Sequence, residues 1–347
     1  MASIAAVREN NSEISRLYGS NLVAVFVGGT SGIGESTARA FIRNTNASRA
    51  YLVGRDQARA TRMIEELRQI RPDSQITFLK ADVSLLREVD DACSAIQQKE
   101  DKLNLLFLSP GTGTMKGRTE TDEGLDRKLT LHYYARMRFV ANLLPQLLKG
   151  EDGTNEQQPT MGCVPRLSRV VSVLEAGGEA ALHLEDLSLE THYSLRNCAK
   201  HAITMNSVSM EHLAASYPQV SFIHSFPGIV RTRLDRDLGT LAKHAISALM
   251  VLAKPWEITL EESGERHLYA ATSPRFPPKI CKDRKYDTAE GSDGYPGTGF
   301  YRLSSNGSTY KPSNVMQLYR AEGVNSLIWK HTLDVFAKVR GGPVNNP

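Results

Sequence analysis

The residues best suited by type and spacing to hold a ligand form a glycine-rich turn near the N-terminus. The turn reads Gly28-Gly29-Thr30-Ser31-Gly32-Ile33-Gly34 and directly follows an apolar run, Val23 to Val27. A helix that begins near Gly32 would direct its backbone N–H groups and the positive end of its dipole at the turn. Glycines suit this position because a Cβ atom would block the approach of a pyrophosphate. The pattern predicts a dinucleotide site formed by Gly28, Thr30, Ser31, Gly32, Ile33 and Gly34.

The residues after the second and third apolar runs extend this site, and the first of them indicates which dinucleotide is bound. Arg55 follows the second apolar run, where the adenosine ribose would lie, and a guanidinium there pairs with the 2′-phosphate of NADP(H). Asp56 stands beside it, and an acidic residue at this place would suit NAD, but an aspartate that opens a helix is more often its N-cap. Asp82 and Val83 follow the third apolar run. We therefore expect NADP(H) as the cofactor.

These residues have to be positioned by alternating strands and helices. Between residue 22 and about residue 235, apolar runs alternate with stretches of helical periodicity, which is typical of a parallel sheet with crossover helices. The predicted strands are 22–27, 50–53, 76–80, 104–108, 168–174 and 219–225. The predicted helices are 32–46, 56–71, 84–100, 122–149 and 194–216, with Asp56 and Ser84 as two of the N-caps. The pattern predicts an α/β fold with a Rossmann-type doubly wound parallel sheet.

The organisation changes in the last part of the chain. A helical region at 238–272 is followed by prolines, Asn306-Gly307 predicts a hairpin turn, and an amphipathic helix is predicted over 312–339. This part could not easily build a second core. We therefore predict one domain, with a Rossmann NAD(P)-binding core at 1–235 and an extended C-terminal substrate cap at 236–347.

Two more segments complete a set of motifs. Ser109-Pro110-Gly111 follows the fourth predicted strand, and Pro227-Gly228-Ile229-Val230-Arg231-Thr232 follows the sixth. With the glycine turn and Asp82, they resemble the short-chain dehydrogenase/reductase (SDR) family, whose marks are TGxxxGIG, an aspartate after strand three, NNAG after strand four and PGxVxT after strand six. The resemblance covers about residues 20–235. It departs from the family where Val27 replaces a threonine and Leu108-Ser109-Pro110-Gly111 replaces Asn-Asn-Ala-Gly.

The resemblance implies a role for each motif. In the family the glycine turn holds the pyrophosphate, the aspartate meets the adenine, and the PGxVxT segment holds the nicotinamide end. Carried onto this sequence, the cofactor site also takes in Arg55, Asp82, Val83, Ser109, Gly111, Pro227, Ile229 and Thr232. Two C-terminal stretches, Gly264 to Leu268 and Ala271 to Ser273, look similar to fungal SDR-like enzymes of secondary metabolism.

The proton-handling residues of the family are not matched. The family uses a tyrosine whose pKa is lowered by a lysine four residues on, and no tyrosine in this sequence has a lysine at that spacing. The spacing matters because residues i and i+4 share one face of a helix. Two registers stay open at the tyrosine and lysine positions: Tyr193 with Asn197, or Ser194 with Cys198. In both registers the lysine is lost.

Three residues are the catalytic candidates: Tyr193, Glu175 and Asn197. Without a neighbouring charge Tyr193 would keep a pKa nearer ~10, which makes it a poor base that can still donate a proton or orient a carbonyl. Glu175, after the fifth predicted strand, would act as acid or base if burial raised its pKa. The asparagine that assists in the family would fall near His132 to Tyr134, where none is present, and these residues are expected to pack within the helix.

Composition and charge argue against several other classes. The net charge is +4, from 42 basic and 38 acidic residues that are scattered, so we expect neither a nucleic-acid surface nor a polybasic membrane patch. The longest apolar run, Ala245 to Ala253, is well short of the ~20 residues that cross a bilayer, and no secretory signal is recognised. Cysteines and histidines show no metal-ligand spacing, and the four cysteines suit a reducing compartment. We expect a cytoplasmic protein without a metal.

One function with two rivals follows from the sequence. The leading hypothesis is an NADP(H)-dependent SDR-type oxidoreductase that acts on a bulky small molecule in specialised metabolism, with non-standard proton delivery. The long C-terminal region suggests a bulky substrate, since a cap can enclose a ligand. An SDR fold repurposed as an isomerase, cyclase or dehydratase, or a cofactor-binding pseudoenzyme, would keep the same glycine turn. SDR relatives commonly pair through the fourth and fifth helices, and Leu129 to Leu148 and Ala199 to Leu213 are apolar enough to permit a homodimer.

Overall fold

A parallel sheet forms the centre of the molecule. The computed structural model describes residues 2–150, 167–232, 253–281 and 287–341. The strands of this sheet are β1 (Val23–Val27), β2 (Arg49–Gly54), β3 (Gln75–Lys80), β4 (Leu105–Leu108), β5 (Arg169–Val173), β6 (Ser221–Ser225) and β9 (Phe300–Leu303). Their order is β3-β2-β1-β4-β5-β6-β9, and two short strands, β7 (Ile229–Val230) and β8 (Glu257–Ile258), pair separately. The six predicted strands and the Rossmann-type doubly wound sheet are confirmed.

The central strands are buried along their whole length because helices cover both faces. Every residue of β1, β4, β5 and β6 is buried, which is why β1 and β4 are continuous apolar runs. The chain winds outward from β1 to β3 on one side of the sheet and continues from β4 on the other. In open sheets of this kind, ligands bind in the crevice outside the carboxyl ends of the strands where the order reverses. Here that crevice lies beyond the ends of β1 and β4.

Helices pack against the two faces of the sheet. They are α1 (Ile4–Ser12), α2 (Ile14–Tyr18), α3 (Gly32–Asn44), α4 (Gln57–Ile70), α5 (Leu86–Gln97), α6 (Arg127–Leu129), α7 (Ala135–Lys149), α8 (Leu195–Ser216), α9 (Leu260–Thr272), α10 (Asn314–Ala321) and α11 (Val324–Arg340). One core cluster joins α3, α4 and α9 to the sheet, and the other joins α5, α7, α8 and α11 to its opposite face. No helix in the described ranges is long and apolar enough to span a membrane.

Local side-chain caps explain two of the helix starts. The Asp56 side chain accepts a hydrogen bond from the Arg59 N–H at 3.0 Å, so its predicted role as the N-cap of α4 is confirmed. The prediction for Ser84 is wrong, because its hydroxyl donates to Asp82 at 2.7 Å and α5 begins at Leu86, with Leu85 in the N-cap position. The first N–H groups of α5 are instead accepted by the carboxylate of Glu123, a residue distant in sequence.

The fourth predicted helix is not uniform. It starts at Arg127, with the Asp126 carboxylate accepting from the N–H groups of Lys128 and Leu129. Residues Thr130–Tyr134 then form a π-helical turn before α7 continues as a regular helix. A π-helical turn changes the direction in which side chains leave the helix, and such turns are frequent at functional sites.

The C-terminal part belongs largely to the core. Strand β9 completes the sheet beside β6, and α9 packs closely on α3. The predicted hairpin turn is present, since Leu303 bridges Thr309 across Gly307, whose φ is +78°. The helix predicted over 312–339 is divided into α10 and α11 at Gly323, whose φ is +71°. Residues 233–252, which include most of the predicted apolar run, lie outside the described ranges, and the domain boundary at 235 stays a prediction.

Helix α11 covers the helices that were expected to pair with a second copy. The Tyr133 hydroxyl bonds to Thr332, and the Tyr134 hydroxyl lies 2.9 Å from His331 Nε2. The Arg138 guanidinium stands over the Phe336 ring, 4.8 Å from its centroid. The apolar faces of α7 and α8 are therefore buried within the chain. A homodimer, which stays a prediction, would need another surface.

We expect Ile328→Ala to destabilise the protein strongly, because Ile328 is fully buried between α11 and the core. Truncation of a buried isoleucine costs about 2–5 kcal/mol. The neighbouring Leu327 is 48% exposed, so Leu327→Ala is a matched control with an expected loss within about 0.5 kcal/mol. Urea unfolding of both variants measures the difference. Equal losses would show that α11 does not contribute to the core.

Candidate functional site

A cavity of about 270 Å³ opens at the carboxyl ends of the strands, where the strand order reverses. Most of the residues predicted to bind the cofactor line it, namely Gly28, Thr30, Ser31, Gly32, Ile33, Arg55, Asp82, Val83, Ser109, Gly111, Pro227 and Thr232. Gly34 and Ile229 do not. Gly34 sits so close to Ser109 and Gly28 that a Cβ atom would lie 2.4 Å from the Ser109 hydroxyl, while Ile229 pairs with Glu257 in the separate strand pair. Both shape the site from outside the cavity.

The glycine turn brings backbone N–H groups to the cavity. Gly28 has φ +79°, and a Cβ atom there would lie 3.1 Å from the backbone of Ser109 and Pro110. Helix α3 begins at Gly32, and the Ser31 side chain makes no capping hydrogen bond to it. The N–H groups of the first helical turn therefore remain available to an anion, and the helix dipole favours negative charge at this point. This arrangement suits a pyrophosphate.

Two arginines meet one aspartate at the end of the cavity beyond β2 and β3. Asp82 Oδ2 lies 3.7 Å from Arg55 and 3.2 Å from Arg127, and its other oxygen accepts from Ser84. Burial acts to raise the pKa of Asp82, but the hydrogen bonds from Ser84 and the two guanidinium charges outweigh it and hold the pKa below its ordinary value. Arg127 was not predicted because it comes from α6, far from Arg55 in sequence. The Glu88 carboxylate also lies here and accepts a hydrogen bond from the Asp82 N–H at 2.5 Å.

The inner wall of the cavity is held by a buried guanidinium, Arg136. It donates to the backbone carbonyl of Pro110 at 2.6 Å, to that of Val173 at 2.7 Å and to the hydroxyl of Ser172 at 2.7 Å. Longer bonds reach the carbonyls of Leu108 and Leu131. Burial lowers the pKa of Arg136 to about 9, so the side chain still carries its charge at neutral pH. Among the described residues no carboxylate forms an ion pair with it.

His132 also lines this inner end, so the prediction that it only packs within its helix is wrong. It sits in the middle of the π-helical turn and is partly exposed. Its Nε2 accepts a hydrogen bond from the Thr112 N–H at 3.3 Å. Burial, together with the charges of Arg136 and Lys128, lowers the pKa of His132 to about 3. Its ring is therefore neutral at physiological pH. Tyr133 and Tyr134 pack as predicted, fully buried.

The three predicted catalytic residues do not line the described cavity. Lys128 Nζ stands over the Tyr193 ring, 5.4 Å from its centroid. The Tyr193 hydroxyl is buried beside Cys198 without a hydrogen bond of regular geometry. Burial and the Cys198 thiol raise the pKa of Tyr193 above its ordinary value, where the sequence predicted a value near normal. The Asn197 amide donates to the His192 carbonyl at 2.8 Å. Glu175 is exposed.

A histidine cluster lies on the segment that precedes α8. The ligand atoms of His183, Glu185 and His192 lie within 4.8 Å of one another, although their sequence spacing predicted no metal site. The rings of His183 and His192 stack with centroids 4.6 Å apart, and His192 Nδ1 lies 3.1 Å from Asp186 Oδ2. Stacked rings direct their nitrogen lone pairs side by side rather than at one point, which is unlike the tetrahedral convergence of protein zinc sites. The absence of a metal stays a prediction.

Comparisons with known proteins agree with this geometry. Residues 22–154 match the short chain dehydrogenase family. The chain is 39% identical to Oxidoreductase AN1596 of Emericella nidulans over 343 residues, which cover 96% of this chain and 97% of that protein. It is 38% identical to Oxidoreductase andH of Emericella variicolor, over 98% of both chains. The NADPH-bound carbonyl reductase from chicken fatty liver has a similar fold, with a TM-score of 0.54 and 16% identity over 84% of this chain and 99% of that chain.

We expect Arg136→Met to destabilise the protein by at least about 3 kcal/mol, because it leaves several buried oxygen atoms without a donor. The control is Lys149→Met at the exposed end of α7, for which the expected change is within about 0.5 kcal/mol. Urea unfolding of the two variants and the wild type measures both values. A loss at position 136 no larger than that of the control would contradict the role assigned to the guanidinium.

Proposed function

This chain belongs to the short-chain dehydrogenase/reductase family, and on that premise we propose that it is an NADP(H)-dependent oxidoreductase acting on a bulky small molecule. The observation that carries the proposal is a single continuous cavity. It joins the Arg55–Asp82–Arg127 group, the N-terminus of α3 and the inner wall around His132 and Arg136. These are the places that an adenosine, a pyrophosphate and a nicotinamide need, in that order.

The adenosine end supports NADP(H) rather than NAD(H). Arg55 is half-exposed beside the position of the ribose, with Arg127 close by. Asp56, the acidic residue that could have favoured NAD(H), is instead engaged as the N-cap of α4. Two guanidinium groups therefore lie at this end, and the half-exposed Arg55 can donate to the additional phosphate of NADP(H).

The inner end of the cavity would hold the nicotinamide and the reacting carbonyl of the substrate next to each other. When bound, NADP(H) supplies or accepts the hydride. The segment from Pro227 to Thr232 would hold the nicotinamide end, as it does in the family, and Leu131, Val173 and Leu174 supply an apolar wall that excludes water. Arg136 keeps that wall in place through its bonds to β5 and to the loop after β4. Orientation and exclusion of water are therefore contributions of this chain's own residues.

The substrate class rests on the length of the chain and on its relatives. The two fungal oxidoreductases are similar over almost the whole length, including the part beyond the sheet core. We propose a role in specialised metabolism in the cytoplasm, with a polycyclic or similarly bulky substrate.

A non-redox reaction, such as isomerisation or cyclisation, is a second candidate. It is favoured by the position of Tyr193 and Asn197 away from the described cavity walls, since the proton relay of a typical reductase is then missing. The two candidates differ in whether NADPH is consumed. Purified protein would be incubated with phenanthrenequinone and with the enone progesterone, with and without NADPH, while product mass and NADPH absorbance are followed. Products of unchanged mass formed without loss of NADPH would refute the oxidoreductase. NADPH that binds tightly, with no turnover of either probe, would favour a pseudoenzyme.

We expect Arg55→Ala to weaken NADPH binding by about 10- to 100-fold, because hydrogen bonds to a charged group contribute about 1.5–3 kcal/mol. NADH lacks the 2′-phosphate, so its dissociation constant should change little. Fluorescence titration with both cofactors measures the two constants. The control is Arg62→Ala, on the exposed side of α4. Equal losses for NADPH and NADH would refute the role of Arg55.

The catalytic roles of Tyr193, Glu175 and Asn197 stay hypotheses, and substitutions test them directly. Because none of the three lines the described cavity, we expect Tyr193→Phe, Glu175→Gln and Asn197→Ala to oxidise bound NADPH in a single turnover within about threefold of the wild-type rate. Stopped-flow absorbance with phenanthrenequinone measures this rate. A loss of general acid–base catalysis would instead lower it by about 100-fold or more and would reinstate the residue concerned.

A further inference from the structure

We propose that His132 is a catalytic residue that donates a hydrogen bond from its Nδ1–H to the oxygen atom of the substrate carbonyl. The inference rests on the proposed function, because transfer of a hydride to a carbonyl carbon is the step that places negative charge on that oxygen. In this proposal the single neutral donor of His132 takes the place of the relay through tyrosine and lysine. Its support comes from position, tautomer and charge.

Position singles out His132 among the polar residues at the inner end of the cavity. All three nitrogen atoms of Arg136 already donate to oxygen atoms of the protein. Tyr193 and Asn197 do not line the described walls. His132 does, and no described residue hydrogen-bonds to its Nδ1. Its side chain is therefore a polar group at this end with a ring nitrogen left for a ligand.

The protein determines which ring nitrogen carries the proton. Nε2 accepts from the Thr112 N–H, and a nitrogen that accepts a hydrogen bond carries no hydrogen. In a neutral ring the proton is then on Nδ1. The backbone of the same residue is also held, since Asn206 donates to the His132 carbonyl at 2.7 Å. The π-helical turn at Thr130–Tyr134 and these two bonds keep the ring in one orientation.

The charge state of the ring decides what it can do. A ring held beside the charges of Arg136 and Lys128 stays neutral, so it does not act as an imidazolium acid at neutral pH. It can stabilise an oxyanion as a preorganised hydrogen-bond donor in a site of low dielectric constant. In triosephosphate isomerase a neutral imidazole polarises the substrate carbonyl in an analogous way. The fixed positive charge of Arg136 adds to the same effect.

The reaction balances without any further group of the protein. The hydride forms a new C–H bond at the carbonyl carbon, and the C=O π electrons move onto the oxygen atom. That oxygen is held by the His132 Nδ1–H and then takes a proton from water. Since the donor is weak, the acceptors that fit are activated carbonyls, such as quinones and conjugated enones, in which the negative charge is delocalised.

Two kinds of measurement test this assignment. In the first, His132→Leu should lower the single-turnover rate with phenanthrenequinone by about 100-fold, the usual cost of removing an oxyanion donor, while the dissociation constant of NADPH changes little. His132→Asn keeps an N–H donor and should recover part of the rate. The control is His212→Leu on α8, whose ring stacks on Trp329 and does not line the described cavity. A wild-type rate in His132→Leu would overturn the proposal.

The second measurement does not depend on turnover. In protein labelled with ¹⁵N-histidine and saturated with NADP⁺, the His132 ring should be neutral with the proton on Nδ1, even at mildly acidic pH. Addition of phenanthrenequinone should shift the Nδ1–H resonance. A protonated ring, or a proton on Nε2, would overturn the inference even if hydride transfer occurs. Conversely, the expected tautomer and shift in a protein that never oxidises NADPH would support the donor and refute the proposed reductase.

Discussion

The buried guanidinium of Arg136 is the interaction on which the inner half of the site depends. It binds the carbonyl of Val173 at the end of β5, the carbonyl of Pro110 after β4 and the hydroxyl of Ser172, and it is 1% exposed. A buried charge without a carboxylate partner is tolerated only when polar atoms surround it closely, and here oxygen atoms do so. Because one side chain satisfies the ends of two strands at once, the wall they form is rigid.

The same charge sets the electrostatics of the cavity. Arg136 helps to keep His132 neutral, while Arg55 and Arg127 share the single carboxylate of Asp82 at the other end. Arginines at one end suit a phosphate, and a guanidinium with no carboxylate partner among the described residues, behind a neutral donor at the other end, suits an oxygen that becomes negative during reaction. The proposed reaction would use this donor and this charge in place of a tyrosine and a lysine, and it would need a more activated substrate.

The C-terminal part of the chain, predicted to cap a substrate, also packs in the core. Strand β9 extends the sheet, α9 packs on α3, and α11 covers α7 and α8 through Thr332, His331 and Phe336. Each of these elements is amphipathic or apolar by sequence, which predicts that one face is buried. The sequence does not predict which neighbouring element covers that face. The contacts of α11 also hold the π-helical turn itself, since Tyr133 and Tyr134 directly follow His132 within it. The position of the donor thus depends on a helix from the far end of the chain.

The sequence by itself determined the fold and located most of the residues that line the cavity. Short apolar runs that alternate with helical periods are typical of strands covered on both faces, and the glycine turn between β1 and α3 depends on contacts close in the chain, so local residue types were enough to locate them. Tertiary structure alone decided the rest. Arg127 beside Asp82, Arg136 beneath the inner wall and His132 within the cavity are brought there by packing between elements distant in sequence, and no spacing rule encodes such contacts. The segment around Tyr193 already lacks the family's lysine in sequence, but only the folded structure shows that the Tyr193 ring lies beside Lys128 and does not line the described cavity. Periodicity reports which face of an element is buried, whereas the orientation of one polar side chain is set by the neighbours that bond to it.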